Sequence, residues 1–151
     1  MSKEPTVHEY ETKSSAGTIA IGRKLANVLT PPRLLILTGD LGAGKTTLVK
    51  GIATALGAAD PDEVTSPTFT LVHEYSGALD GKTVKLLHLD LYRLDAERQL
   101  DAMGIDDMLT SDAVVLVEWG EKFNSIRKRA DGEIKITSEG GDARKIVVTL
   151  N

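Results

Sequence analysis

A glycine-rich segment at residues 39–47 constrains this chain more than any other feature of its sequence. The segment, Gly-Asp-Leu-Gly-Ala-Gly-Lys-Thr-Thr, fills the pattern G-x-x-x-x-G-K-[ST] completely. It follows an apolar run at 34–37, which predicts a buried strand, and it precedes an amphipathic stretch, which predicts a helix. A strand, a glycine-rich loop and a helix in this order form the context in which the pattern binds nucleotide phosphates.

The residue types in this loop each suit the binding of a phosphate. Glycines allow the backbone to turn its N–H groups towards an anion, and the helix starting near Lys45 adds about half a positive charge at its N-terminus. Lys45 is predicted to reach the β- and γ-phosphates of a nucleoside triphosphate, and the Thr46 hydroxyl to bind the accompanying Mg2+. The predicted nucleotide contacts are Asp40, Leu41, Gly42, Ala43, Gly44, Lys45, Thr46 and Thr47.

Composition narrows the remaining possibilities. The 151 residues, 41% of them hydrophobic, are enough for one domain with a proper core, so we expect a single domain over 1–151. The absence of cysteine excludes disulfides and thiolate metal sites. A net charge of −4 argues against broad unaided binding to RNA or DNA. No apolar run approaches the length needed to span a bilayer, so a cytoplasmic protein without a membrane segment is expected.

Hydrophobic periodicity predicts an α/β fold with a P-loop NTPase-like mixed β-sheet flanked by helices. The apolar run at 113–117 is continuous, which predicts a central strand covered on both faces. The other predicted strands are 6–13 at an edge, 34–38, 68–75, 84–91 after a hairpin loop at 77–82, 133–138 and 144–150; the predicted helices are 16–29, the segment after Lys45, and 96–109.

Two carboxylates follow predicted strands and are candidates for the magnesium side of the site. Glu118 ends the run at 113–117, where an ionised group is costly unless a cation or hydrogen bonds compensate it. Its alternative role is a helix cap or an edge salt bridge. Asp90 is a candidate for binding Mg2+ through water or for orienting the attacking water. Its alternative role is to cap the helix that follows.

Other side chains are weaker candidates. Thr68 lies where phosphate-loop enzymes place a hydroxyl that senses the γ-phosphate, although a simple turn also explains it. Arg93 either neutralises charge during phosphoryl transfer or is a surface residue. Trp119 either walls off the site, meets a partner or fills a core edge. His73 and His88 lack a second ligand at metal-binding spacing, so ordinary roles in the sheet are favoured.

Several motifs in order resemble the bacterial TsaE (YjeE) family, the small ATPases of tRNA threonylcarbamoyladenosine biosynthesis. The resemblance covers residues 17–120. The segments that carry it are the loop at 39–47, Ser66-Pro-Thr-Phe-Thr-Leu-Val72, His88-Leu-Asp-Leu-Tyr-Arg-Leu94, Met103-Gly-Ile105 and Val117-Glu-Trp119.

The resemblance implies an ATPase that acts with TsaD-type and TsaB-type proteins and reaches tRNA only through them. It implies ATP and Mg2+ as cofactors, with Lys45 and Thr46 as the phosphate and magnesium residues. Glu118 becomes the second carboxylate on the magnesium side, Asp90 a residue needed for hydrolysis, and Thr68 a switch-like residue. The predicted catalytic set is therefore Lys45, Thr68, Asp90 and Glu118, and the predicted metal ligands are Thr46 and Glu118.

Two other functions use the same loop. A small-molecule kinase would move the γ-phosphate onto an acceptor instead of releasing it. A nucleotide-dependent binding module would use the bound nucleotide to set a shape that a partner recognises, with hydrolysis incidental.

Overall fold

A seven-stranded mixed sheet with helices on both faces is the fold of residues 5–40, 43–67 and 71–151, as described by a computed structural model. The elements are β1 (Thr6–Thr12), α1 (Ser15–Val28), β2 (Arg33–Thr38), α2 (Lys45–Ala55), β3 (Val72–Leu79), β4 (Lys82–Asp90), α3 (Glu97–Met103), α4 (Ile105–Met108), β5 (Ala113–Glu118), α5 (Asn124–Arg129), β6 (Gly132–Gly140) and β7 (Ala143–Leu150). None of the helices in these ranges is long and apolar enough to cross a membrane. The predicted mixed α/β sheet flanked by helices is confirmed.

The strand order, β1-β7-β6-β2-β5-β4-β3, places the strand before the phosphate loop in the interior of the sheet. Four neighbouring strands in this order run parallel to one another: β6, β2, β5 and β4. The outer strands pair antiparallel, β7 with β6, β1 with β7 and β3 with β4. In the register of these strands, Glu118 pairs with Leu37 on one side and with Asp90 on the other. The ends of three parallel strands therefore meet at one edge, where open α/β sheets bind their ligands.

Side chains alternate across the central strands and supply two cores. Leu35 and Leu37 of β2 pack with the core that contains α1 and α2. Leu34 and Ile36, from the same strand, pack with the core that contains α3, α4 and α5. All six residues of β5 are buried, as expected for a strand covered on both faces.

Two glycines bring α1 and α2 into close contact, which sets the position of α2 against the sheet. A Cβ added at Gly51 would lie 2.1 Å from the carbonyl oxygen of Ile19. One added at Gly22 would lie 2.3 Å from the carbonyl oxygen of Leu48. Backbone atoms cannot move aside as a flexible side chain does, so the crossing depends on both glycines.

Replacing Gly51 with alanine should lower the free energy of unfolding by about 1–3 kcal/mol, because the added methyl group forces the two helices apart. Urea unfolding of the purified variant measures this change. Lys24→Ala, at an exposed position of α1, is the control and should change stability little. Equal stabilities for Gly51→Ala and the wild type would contradict the tight crossing.

The predicted hairpin loop at 77–82 is wrong, because β3 continues to Leu79 and only residues 80–81 form the turn. Both turn residues have positive φ, 52° and 80°, as a two-residue hairpin turn requires. Gly77 lies inside β3 because that strand passes close to the end of α2. A Cβ there would lie 2.2 Å from the carbonyl oxygen of Leu56.

Local details differ from the prediction in three other places. The strand predicted at 68–75 begins at Val72 in the structure, and residues 68–70 lie outside the described part of the chain. Gly104, with φ of 70°, splits the helix predicted at 96–109 into α3 and α4. The short helix α5 was not predicted; its single buried residue, Ile126, gives too weak a periodic signal.

Candidate functional site

The phosphate loop joins the end of β2 to the start of α2. A Cβ at Gly39 would lie 2.6 Å from Cγ2 of Ile136 on β6, so the loop leaves β2 through a gap that only glycine fits. Gly44 has φ of 102°, in the left-handed region that favours glycine, and it directly precedes α2. Both ends of the loop therefore use glycine for a structural reason.

Other predicted loop contacts are only partly described. Asp40 is exposed and Ala43 is buried, and the Ala43 N–H donates a hydrogen bond of 2.9 Å to the Asp40 carbonyl oxygen. Leu41, Gly42 and the proposed switch residue Thr68 lie outside the described residues. Their roles stay predictions.

Lys45 lies at the start of α2 and points back across the loop. Its Nζ donates a hydrogen bond of 2.8 Å to the Gly39 carbonyl oxygen and lies 3.0 Å from Oε1 of Glu118. Thr46 and Thr47 follow on the first turn of the helix, and both are partly exposed. The fold thus brings a predicted phosphate ligand, Lys45, into direct contact with a predicted magnesium ligand 73 positions later in the chain (118 − 45).

Glu118 is a buried carboxylate held by two groups. Besides Lys45, it contacts Nε2 of His88, which lies 2.6 Å from Oε2. Burial opposes ionisation of this carboxyl, but the hydrogen bonds and charges of His88 and Lys45 outweigh burial and lower the pKa of Glu118. An ionised carboxylate only accepts hydrogen bonds, so His88 donates through Nε2. The site therefore stabilises a negative charge at Glu118.

The lowered pKa of Glu118 predicts a stability loss in acid. A carboxyl whose pKa is lower in the folded state stabilises the protein above its unfolded pKa of about 4.3, and that stabilisation disappears as pH falls through the folded pKa. Between about pH 5 and pH 3, the unfolding free energy of the wild type should therefore fall more than that of Glu118→Gln. Urea unfolding at several pH values measures the difference.

The control for this titration is Glu133→Gln, which changes an exposed carboxylate on β6. It should follow the wild-type acid profile. If the unfolding free energy of Glu118→Gln falls with decreasing pH as much as that of the wild type, the ionised Glu118 carboxylate does not stabilise the fold.

His88 is a site residue that the sequence alone did not identify. Its side chain is completely buried, and its Nδ1 has no hydrogen-bond partner among the described residues. Along β4, Leu86, His88 and Asp90 alternate onto the face that carries α2, while Leu87 and Leu89 face the other core. In the sequence, this alternation indicates that His88 lies on the same face of β4 as Asp90. It does not indicate the contact with Glu118, because Glu118 lies on another strand.

Asp90 ends β4 beside Glu118 and is almost fully buried. Its Oδ1 accepts a hydrogen bond of 2.9 Å from the Tyr92 N–H, and its own N–H donates to the Leu71 carbonyl oxygen. The alternative role of capping the next helix is not what the structure describes, because α3 begins only at residue 97 and Asp90 instead closes a turn. Arg93 is exposed in that turn.

Trp119 does not fill a core edge, since its side chain is 40% exposed and its φ is 63°. Its ring centroid lies 5.3 Å from that of Tyr92, which is 59% exposed, and 6.0 Å from Nζ of Lys45. Lys122 supports this pair by donating to the Tyr92 carbonyl oxygen at 3.0 Å and to the Leu94 carbonyl oxygen at 2.7 Å. The two aromatic rings therefore form an exposed pair next to Lys45.

The chain matches known proteins over nearly its whole length. A family model described as "Threonylcarbamoyl adenosine biosynthesis protein TsaE" matches residues 12–146. The tRNA threonylcarbamoyladenosine biosynthesis protein TsaE of Haemophilus influenzae is 41% identical over 133 residues, covering 85% of this chain and 80% of that protein. The protein of the same name from Bacillus subtilis is 39% identical over 144 residues, covering 95% of this chain and 82% of that protein.

The fold also has a solved counterpart. A crystal structure of YdiB from Bacillus subtilis superimposes with a TM-score of 0.68 at 31% sequence identity. The superposition covers 99% of this chain and 88% of that one. The likeness therefore extends over nearly the whole fold.

Proposed function

This chain belongs to the TsaE family of threonylcarbamoyl adenosine biosynthesis proteins, and on that premise we propose that it binds and hydrolyses ATP within the tRNA-modification machinery of that pathway. In this proposal it acts together with TsaD-type and TsaB-type proteins and reaches tRNA only through them. Its net charge of −4 supports that indirect route, because an acidic protein is repelled by a polyanion.

The contact between Lys45 and Glu118 is the observation that supports ATP binding best. Lys45 is a cation at a helix N-terminus behind a glycine-rich loop, which is an arrangement suited to phosphates. A bound triphosphate would compete with Glu118 and the Gly39 carbonyl for the Lys45 ammonium group. Binding would then exchange one ion pair for another, so the charge on Lys45 is never left without a partner.

The residues present also fit Mg2+. This ion takes oxygen ligands in an octahedral arrangement and usually combines one or two protein groups with substrate phosphates and water. The Thr46 hydroxyl and the Glu118 carboxylate, freed from Lys45, would hold it, with Asp90 at the end of the neighbouring strand available to orient a water. When bound, Mg2+ would neutralise charge that develops on the phosphates during hydrolysis.

We predict slow hydrolysis by the protein alone. In the structure Glu118 contacts both Lys45 and His88, so a hydrolytic geometry in which Glu118 holds Mg2+ requires its contact with Lys45 to change. Partner proteins would accelerate hydrolysis by stabilising the changed arrangement. The exposed pair of Tyr92 and Trp119 lies next to Lys45, where such a partner would act.

Phosphate release from ATP tests this proposal directly. The purified protein is measured alone and then with TsaD-type and TsaB-type proteins, with Lys45→Ala as the inactive control. We expect slow release that rises when both partners are added and disappears in the variant. Fast release by the protein alone would contradict dependence on partners.

Product analysis in the same assay separates the kinase alternative. An ATPase releases the γ-phosphate as inorganic phosphate, whereas a kinase transfers it to an acceptor. Phosphate found on an added metabolite, with none released, would replace the proposed function with that of a kinase.

A further inference from the structure

Arg144, on the C-terminal strand β7, reaches back to the phosphate loop at residue 43, 101 positions earlier in the chain (144 − 43). Its Nε donates a hydrogen bond of 2.6 Å to the Ala43 carbonyl oxygen. Its Nε also lies 3.6 Å from the place that a Cβ would take at Gly44, so the guanidinium group lies alongside both loop residues. Nothing in the loop motif or the other family motifs predicts this contact.

The other end of the guanidinium group is held by the turn between β6 and β7. Its Nη1 donates to the Gly141 and Ala143 carbonyl oxygens at 2.7 and 2.9 Å and lies 3.4 Å from the Ser138 hydroxyl oxygen. Because Gly141 has φ of 53°, the tight turn can direct its carbonyl towards Arg144. One planar cation therefore links the phosphate loop to the C-terminal hairpin with charge-assisted hydrogen bonds.

The contact at Ala43 controls the direction of a loop N–H. The carbonyl of Ala43 and the N–H of Gly44 belong to the same peptide unit, and in a trans peptide these two groups point in opposite directions. By holding the carbonyl on its own side, Arg144 directs the Gly44 N–H to the opposite side. N–H groups of such glycine-rich loops are the donors that surround bound phosphates.

The hairpin of β6 and β7 belongs to the same sheet as the strand that leads into the loop. Strand β6 pairs with β2, and Ile136 of β6 fills the space beside Gly39, where a Cβ would lie 2.6 Å from its Cγ2. Ile136 pairs with Ile146 of β7, and Ser138 pairs with Arg144. The hairpin therefore meets the first glycine of the loop through Ile136 and its last residues through Arg144.

We propose that Arg144 is a positioning residue of the phosphate loop, which orients the Ala43–Gly44 peptide so that the Gly44 N–H faces the bound nucleotide. The inference rests on the proposed function, since it assigns a residue to that same nucleotide site. It gives the last thirty residues of the chain a role in nucleotide binding. Arg144 acts on the loop backbone, so ADP and ATP depend on it equally.

The test compares four forms of the full chain: wild type, Arg144→Gln, Arg144→Lys and Lys145→Gln. Lys145→Gln removes the same charge from the next position of β7 and is the matched control. Titration calorimetry with ADP and with ATP, both with Mg2+, measures affinity. The amide resonance of Gly44 in the nucleotide-free protein reports the peptide orientation, and thermal unfolding reports the stability of the hairpin.

We expect Arg144→Gln to bind ADP and ATP each about tenfold more weakly, as is common when a group that orients binding residues is removed. The Gly44 amide resonance should move. Arg144→Lys should also lose affinity, because one ammonium group cannot replace the planar fork that joins loop and turn. Lys145→Gln should stay within about twofold of wild type, as expected for an outlying surface charge.

Three results would overturn the assignment. One is equal affinity for Arg144→Gln and Lys145→Gln, even with a lowered unfolding temperature, because Arg144 would then serve the hairpin alone. Another is wild-type affinity in Arg144→Lys, since charge alone would suffice. The third is weaker ATP binding with unchanged ADP binding, which would mean a direct contact to the γ-phosphate.

These affinities, together with phosphate release from ATP by the wild type, separate this inference from the proposed function. A wild-type protein that binds ATP without hydrolysing it, together with the tenfold loss in Arg144→Gln, would support Arg144 and contradict the ATPase. Hydrolysis by the wild type, with equal affinities for Arg144→Gln and Lys145→Gln, would support the ATPase and contradict the role of Arg144. A wild-type protein that binds no nucleotide would overturn both. If Arg144→Gln fails to fold, Arg144→Lys and its Gly44 resonance decide the question.

Discussion

Replacing Lys45 with alanine should weaken ATP binding by about ten- to a hundredfold, or about 1.5–3 kcal/mol, because it removes a charge-assisted contact to the phosphates. Hydrolysis should disappear with it. The structure adds a second effect, since Lys45 is one of the two groups that hold Glu118. Without the ammonium group, the pKa of Glu118 should rise, because one of the charges that offsets its burial is gone.

Titration calorimetry with ATP and Mg2+ measures the affinity of Lys45→Ala. Lys50→Ala removes the same charge from a later turn of α2 and is the matched control, with affinity expected near wild type. Thermal unfolding of both variants excludes a general loss of structure. Unchanged ATP affinity in Lys45→Ala would show that the nucleotide binds elsewhere.

Replacing Glu118 with glutamine should lower the rate of phosphate release by about a hundredfold or more, the range expected for a group that acts on the reacting atoms. ATP affinity at saturating Mg2+ should stay at or above that of the wild type. Glutamine has the shape of glutamate and still accepts the hydrogen bond from His88, but it forms no ion pair with Lys45. Lys45 is then available to the phosphates without competition.

Single-turnover phosphate release and ATP titration together measure this separation of binding from hydrolysis, with Glu133→Gln as the control at an exposed position. Equal loss of binding and hydrolysis, together with a lowered unfolding temperature, would assign Glu118 to the support of the fold instead. The same variant tests the alternative of a binding module in cells. If Glu118→Gln blocks hydrolysis but tRNA modification continues at the normal level, the protein serves as a nucleotide-dependent binding module.

Much of the fold follows from local patterns in the chain. The continuous apolar run at 113–117 has one favourable solution, a strand covered on both faces, and β5 is fully buried. The glycine-rich loop connects the end of β2 to the start of α2, as the pattern predicts. Weak patterns were less informative. Helix α5 buries a single residue, and β3 extends further than predicted because Gly77 fits against the end of α2.

The sequence predicts those residues of the candidate site that belong to a local pattern. Lys45 and Thr46 belong to a contiguous motif, and Glu118 and Asp90 end apolar strands, so each has a signal within a few residues of itself. Arg144 has no such signal, and His88 has only the alternation of side chains along β4. A buried histidine in a strand and an arginine near a glycine-containing turn are common in proteins, and their partners here lie 30 and 101 residues away.

The sequence by itself determined the class of the fold, the position of the glycine-rich loop and the family, because these depend on contiguous motifs and on the period of apolar residues. Only the tertiary structure decided which side chains meet. Strand order and register bring Glu118 beside His88 and Lys45, and the C-terminal hairpin brings Arg144 to Ala43. Such contacts form when the sheet assembles, so the energy of each depends on residues far away in the chain and leaves no local pattern.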